Sequence, residues 1–104
     1  MDIIYQFEKG RLTVTLAGEI DHHGAKRARE DIDSLVAAHN PAELCLDLSR
    51  VDFMDSSGLG LVLGRYKKQT EHGAKMRIVN PTRRVMKILT MAGVDKIIRI
   101  ERAV

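Results

Sequence analysis

The apolar residues of this chain recur at two spacings. Leu12, Val14 and Leu16 alternate with Thr13 and Thr15, the period of a strand with one buried face. With Ile3 to Phe7 they predict two strands, 3–7 and 12–17, joined by Glu8-Lys9-Gly10-Arg11, where Gly10 accepts a positive φ. The chain is therefore expected to open with a β-hairpin at a sheet edge. Gly18-Glu19-Ile20-Asp21 leaves the second strand, and the spacing changes. Ala25, Ala28, Ile32, Leu35 and Val36 recur every three or four positions, which makes one face of a helix apolar. Lys26, Arg27, Arg29, Glu30 and Asp33 fall mostly on the other side. Asp21 is of a residue type that caps a helix start, and Asn40-Pro41 ends the helix because proline cannot continue it.

The alternation of strand and helix then repeats. Leu44 to Leu48 is an apolar strand, expected to run parallel to 12–17 because helices flank it. A helical pattern from Ser57 to Glu71 follows and ends near Gly73. Met76 to Val79 is a strand. Asn80-Pro81 is expected to start a helix whose apolar stripe is Val85, Ile88, Leu89 and Ala92, closed by Gly93. Lys96 to Ile100 is a last strand. The expected fold class is α/β, a mixed sheet opened by an N-terminal hairpin with helices packed on it, in one domain spanning residues 1–104.

Composition narrows the function. With 44% hydrophobic and 30% charged residues the chain is of an ordinary globular kind. No apolar run approaches the roughly 20 residues of a membrane span, and Met1-Asp2-Ile3-Ile4-Tyr5 lacks the basic start and apolar stretch of a signal peptide. The expected location is cytoplasmic, with no membrane partner. Net charge is +3 and the basic residues are dispersed apart from Arg83-Arg84-Lys87. With four aromatic residues a base-stacking platform is not built, so no nucleic-acid partner is expected. Cys45, the single cysteine, lies within an apolar strand as a buried thiol. His22 and His23 are adjacent with no third ligand, so no metal is implied.

The most informative stretch is Phe53-Met54-Asp55-Ser56-Ser57-Gly58-Leu59-Gly60. A strand ends before it and a helix begins in it. Asp and Ser are cap residues, because their side-chain oxygens accept from the free N–H groups of a helix start. That end also carries partial positive charge and receives a phosphate well. Three readings stand: a plain cap, a hydroxyl presented for phosphorylation, and a nucleophile elbow. Neither serine has glycines at both minus two and plus two, which argues against the elbow. Gly58, Gly60 and Gly64 each cost about 1 kcal/mol against alanine in a helix. Gly60 and Gly64, one turn apart, are expected to bring the helix close to the sheet, and Gly58 and Gly60 also to leave backbone beside Ser56 open to a partner.

This stretch, continued by Leu63-Gly64-Arg65-Tyr66-Lys67, resembles the signature of the anti-sigma factor antagonists, the single-domain STAS family. Leu16-Ala17-Gly18-Glu19-Ile20-Asp21-His22-His23 and Gly93-Val94-Asp95-Lys96-Ile97-Ile98-Arg99 resemble two further family segments, in the family's order. The Asp21-His22-His23 and Gly64-to-Lys67 matches favour the sporulation branch. The resemblance implies the STAS fold and a partner-switching role. The unphosphorylated protein binds an anti-sigma factor that is also an ATP-using serine kinase, and the sigma factor is released. The kinase phosphorylates the serine after the aspartate, here Ser56; the complex parts, and a separate phosphoserine phosphatase resets it. The protein is then a substrate and a ligand, not an enzyme, needs no cofactor, and is a monomer when free. Asp21, Asp55, Ser56, Ser57, Gly58, Gly60 and Arg65 are the implied partner-binding residues; for Asp21 a plain cap is the competing reading. In the family a further helix follows the last strand, for which Glu101-Arg102-Ala103-Val104 is too short.

The alternatives are a STAS module of another pathway, such as stress response, and a small hydrolase using Ser56 or Ser57 with His22 and Asp21. No P-loop or G-x-G-x-x-G supports nucleotide binding. Phosphorylation adds about −1.5 to −2 charges. At a helix N-terminus that charge is favourable by about 0.3–1 kcal/mol, so the expectation is that the phosphorylated domain stays folded and that docking fails at its surface.

Overall fold

In a computed structural model, which describes residues 1–102, the chain runs β1 (Asp2–Glu8), β2 (Arg11–Ile20), α1 (His22–His39), β3 (Glu43–Met54), α2 (Ser56–Glu71), β4 (Lys75–Val79), α3 (Arg83–Met91), a 3-10 turn (Val94–Lys96) and β5 (Arg99–Glu101). The five strands form one sheet in the order β1-β2-β3-β4-β5. Only β1 is antiparallel to its neighbour. This is the expected mixed sheet opened by a hairpin. Lys9 and Gly10 both take positive φ, 51° and 78°, the two-residue turn whose twist matches that of the flanking strands. The expected lack of a helix after Glu101 bears on residues 103 and 104, which lie outside the described residues.

Burial explains the layering. Leu12, Val14 and Leu16 of β2 and Leu44, Leu46 and Leu48 of β3 are fully buried. They meet Ala28 and Ile32 of α1, Val62 of α2, and Val85 and Leu89 of α3 in one continuous core. Each fully buried leucine contributes about 1.5–3 kcal/mol. Among the described residues no helix is long and apolar enough to cross a membrane.

Four boundaries differ from the sequence reading. β2 continues to Ile20 and β3 to Met54. Their pairing carries register shifts between Thr15 and Ala17 and between Gly18 and Glu19, which interrupt the alternation that marks a strand. α3 starts later than Asn80-Pro81: Thr82 is its cap, and its hydroxyl accepts from the Val85 N–H at 3.2 Å. Residues 94–96 form the 3-10 turn, so β5 begins at Arg99.

The glycines of α2 divide in an unexpected way. A Cβ on Gly58 would lie 2.6 Å from the Met54 Cβ and 3.2 Å from the Ile20 Cγ2. A Cβ on Gly60 or Gly64 would meet nothing within 4 Å. The close approach of helix to sheet therefore occurs at Gly58, and the expectation that Gly60 and Gly64 provide it is corrected. Alanine at the two kinds of position acts in opposite directions. Gly58→Ala lowers the stability measured by urea unfolding by about 1–3 kcal/mol through overpacking. Gly60→Ala raises it by about 0.5–1 kcal/mol, because alanine is the better helix former and finds free space.

Candidate functional site

Two helix starts lie side by side at the carboxyl ends of two parallel strands. Ile20 and Met54 are partners in the β2–β3 ladder, and each is followed directly by an aspartate that caps a helix. The Asp21 Oδ1 accepts from the Gly24 N–H at 2.8 Å. The Asp55 Oδ1 accepts from the Ser57 N–H at 2.8 Å and the Gly58 N–H at 3.3 Å. The Asp55 N–H donates to the Ile20 carbonyl at 3.3 Å, tying the second start to the first. In open sheets with parallel strands, the region beyond the carboxyl ends is where ligands and partners are met.

Ser56 is the first residue of α2 and is exposed, while Ser57 is half-buried. Asp55 engages backbone N–H groups, and among the described residues no hydrogen bond holds the Ser56 hydroxyl. From Ser56 an outward stripe runs along α2 through Gly60, Leu63 and Gly64 to Lys67. Leu63 is 36% exposed, and the two glycines leave the backbone bare beside it. At the end of β3, Phe53 is 40% exposed with the Arg84 guanidinium 5.6 Å from its ring centre. Phe53 and Leu63 are additions to the expected site. Leu63 is readable from its spacing with Ser56 and Gly60; Phe53 is not, since the shifted β2–β3 register decides which way its strand turns.

The expected residues do not all reach the surface. Asp21, Ser56 and Gly60 are exposed, and Asp55 and Ser57 are partly so. Gly58 is buried under Ile20 and Met54, so it sets the position of the turn. Arg65 is only 7% exposed, and its Nε lies 3.2 Å from the Asp33 Oδ1 of α1. The expectation that these two side-chain positions face a partner is corrected: packing claims Gly58, and an ion pair between α1 and α2 claims Arg65. Burial pulls the Arg65 guanidinium below its ordinary pKa, opposed by Asp33 and reinforced by Arg29; it remains charged.

The hydrolase alternative meets a geometric obstacle. A triad needs its acid to orient the histidine. The Asp21 Oδ1 is committed to the Gly24 N–H, and the His22 ring sits against His23 at 5.8 Å.

The Gly24 N–H also holds the Asp21 carboxyl below its ordinary 3.8, with a smaller push from His23 and partial opposition from burial. A carboxyl held low when folded stabilises the fold above its unfolded value, and that stability is lost as pH falls through the folded one. Asp21→Asn keeps a side-chain acceptor but does not titrate. In thermal melts followed by circular dichroism, the variant should match the parent near pH 7. It should lose less Tm than the parent between about pH 4 and pH 2.

The chain is similar to known proteins over nearly its whole length. Residues 2–104 match the family described as STAS domain. An anti-sigma F factor antagonist of Paenibacillus polymyxa is 36% identical over 100 residues, covering 96% of this chain and 86% of the relative. An anti-sigma-B factor antagonist of Bacillus subtilis (strain 168) is 34% identical over 89 residues, covering 86% and 80%. The anti-sigma factor antagonist SpoIIAA in its unphosphorylated form superposes with a TM-score of 0.85 at 26% identity, covering 99% of this chain and 89% of that one. The phosphorylated form of the Bacillus SpoIIAA superposes at 0.78 with 25% identity, covering 99% and 92%. The buried β2–β3 pair, the two capped helix starts and the matched segments all fall within this shared region, and the chain belongs to the STAS domain family of anti-sigma factor antagonists.

Proposed function

We propose that this protein is a phosphorylation-controlled antagonist of an anti-sigma factor that is itself an ATP-using serine kinase. Unphosphorylated, it docks on that kinase and the sigma factor is released. Phosphorylation of Ser56 ends the docking, and a separate phosphatase restores it. The observation that carries the reading is the exposed, unengaged Ser56 hydroxyl at the start of α2, beside the bare stripe of Gly60, Leu63 and Gly64. It is supported by relatives named as anti-sigma factor antagonists, and by a relative known in unphosphorylated and phosphorylated forms.

The physics of the switch follows from the site. A phosphoryl group on Ser56 brings about −1.5 to −2 charges to the positive end of a helix, where the fold accepts it. A docked partner would have to desolvate or repel the same charge. Every 1.4 kcal/mol of that penalty lowers affinity about tenfold, and an unpaired buried charge costs about 2–5 kcal/mol. The protein acts as a cytoplasmic monomer, and Asp21, at the neighbouring helix start, borders the docking surface.

A second reading has a specific support: one relative antagonises an anti-sigma-B factor, not an anti-sigma-F factor. The chemistry is then the same and the partner differs. Capture of one anti-sigma factor in preference to the other separates the two readings.

The test is incubation with the anti-sigma kinase and ATP, followed by mass mapping. One phosphoryl group is expected on Ser56. Ser56→Ala should take up none and should still bind the kinase. Ser56→Asp should bind at least about tenfold more weakly. Phosphate appearing on Ser57 of the Ser56→Ala variant would move the switch by one residue.

A further inference from the structure

The two edges of the sheet are unequal. β5 is three residues long and carries Arg99 and Glu101 as an ion pair, which blunts it against pairing. β1 runs for seven residues, and its register with β2 is unbroken from Asp2 to Glu8. It contains no lysine, proline or bulge, the usual guards of an edge. Among the described residues no strand lies on its outer side.

The turn decides which backbone groups face out. A two-residue turn at Lys9 and Gly10 makes Glu8 and Arg11 a hydrogen-bonded pair. Such pairs alternate along an antiparallel ladder, so Asp2, Ile4 and Gln6 bond inward to β2, and the N–H and C=O groups of Ile3, Tyr5 and Phe7 point outward. The side chains here are apolar although they meet water: Ile4 is 58% exposed, Tyr5 50% and Phe7 40%. His39 stacks on the Phe7 ring at 4.8 Å and tilts against the Tyr5 ring at 5.7 Å, which holds both in place. The edge is long, regular, apolar and already ordered, a template for one more strand.

The residues of β1 say which strand fits. Two copies related by a two-fold axis perpendicular to the sheet pair antiparallel, and each residue meets one from the same face. Centred on Ile4, that pairing sets Ile4 against its own copy, Ile3 against Tyr5, and Asp2 against Gln6, an acceptor against an amide donor; Glu8 falls beyond the paired residues. Centred on Tyr5, it would set Asp2 against Glu8 at both ends, like charge against like. Centred on Gln6, it would set Ile4 against Glu8. We infer that β1 joins a second copy of this chain, antiparallel and centred on Ile4, so that one sheet runs through both copies. The pair and the single chain exchange by mass action, and the single chain remains the docking form when dilute. The inference does not depend on the partner-switching reading, and its test needs no other protein.

The test follows mass by analytical ultracentrifugation over about two decades of protein concentration, with hydrogen exchange on the same samples. Mass should rise from one chain towards two. The amides of Ile3 and Tyr5 should exchange more slowly at high concentration, while those of Ile4 and Gln6, already bonded to β2, should not change. Ile4→Lys sets like charges face to face and should weaken pairing at least about tenfold. Ile4 is exposed, so the dilute variant should lose no more than about 4–8 °C of Tm. Ile4→Cys should form a disulfide-linked pair under a mild oxidant, because the two Cα atoms would lie about 4.5 Å apart; the native Cys45 is buried. Tyr5→Cys should not, since its copy would lie about 7–8 Å away on the diagonal. The inference is overturned if the mass stays that of one chain, if Ile3 and Tyr5 exchange at the same rate at every concentration, if Ile4→Lys pairs like the parent, or if Tyr5→Cys cross-links in preference to Ile4→Cys.

Discussion

The pairing of Ile20 with Met54 in the parallel β2–β3 ladder is the constraint on which the site depends. Both side chains are buried, and each strand hands over directly to a capping aspartate. Because the strands are neighbours and parallel, two helix starts emerge side by side on one end of the sheet. The hydrogen bond from the Asp55 N–H to the Ile20 carbonyl fixes their offset. Gly58 then lets α2 settle on this pair, at a distance no side chain would permit. The exposed position of Ser56 is thus a consequence of packing two residues away. The hydroxyl stands clear because Asp55, not the serine, satisfies the helix start.

Stability and presentation draw on different glycines of one helix. Gly58 serves the fold. Gly60 and Gly64 cost helix propensity, and a Cβ at either would meet nothing within 4 Å, so they leave bare backbone beside Leu63. Natural proteins retain such local costs at surfaces that bind. Arg65 adds a tie between helices: a buried guanidinium on α2 is ion-paired with Asp33 of α1 at 3.2 Å. Two capped helix starts and the exposed Ser56 hydroxyl lie together at one end of the sheet.

Much of this was readable in the chain itself. Alternation at Leu12, Val14 and Leu16 and the three-and-four spacing from Ala25 to Val36 are the direct imprint of one buried face, and they located β2 and α1. Asp55-Ser56-Ser57 marked the helix start because few residue types can cap one. The ends of β2 and β3 were hidden, since the register shifts after Thr15 and Gly18 break the alternation and place Arg50, Asp52 and Phe53 on a strand. The roles of the α2 glycines were hidden for another reason: a missing side chain does not say whether the space is filled by a neighbour or left open. Likewise Arg65 reads as a surface cation until Asp33, on a different helix, is seen beside it.

The central claim is that a negative charge placed on Ser56 changes what the surface binds and leaves the fold in place. The most direct measurement compares the fully phosphorylated and unmodified proteins by amide spectra and thermal melting on the same sample. The account predicts shifts confined to the starts of α1 and α2 and the adjoining end of β3, with Tm changed by no more than about 4–8 °C, the equivalent of about 1 kcal/mol in a domain of this size. Loss of helix signal, or shifts spreading to Leu46 and Ile78 in the core, would contradict it.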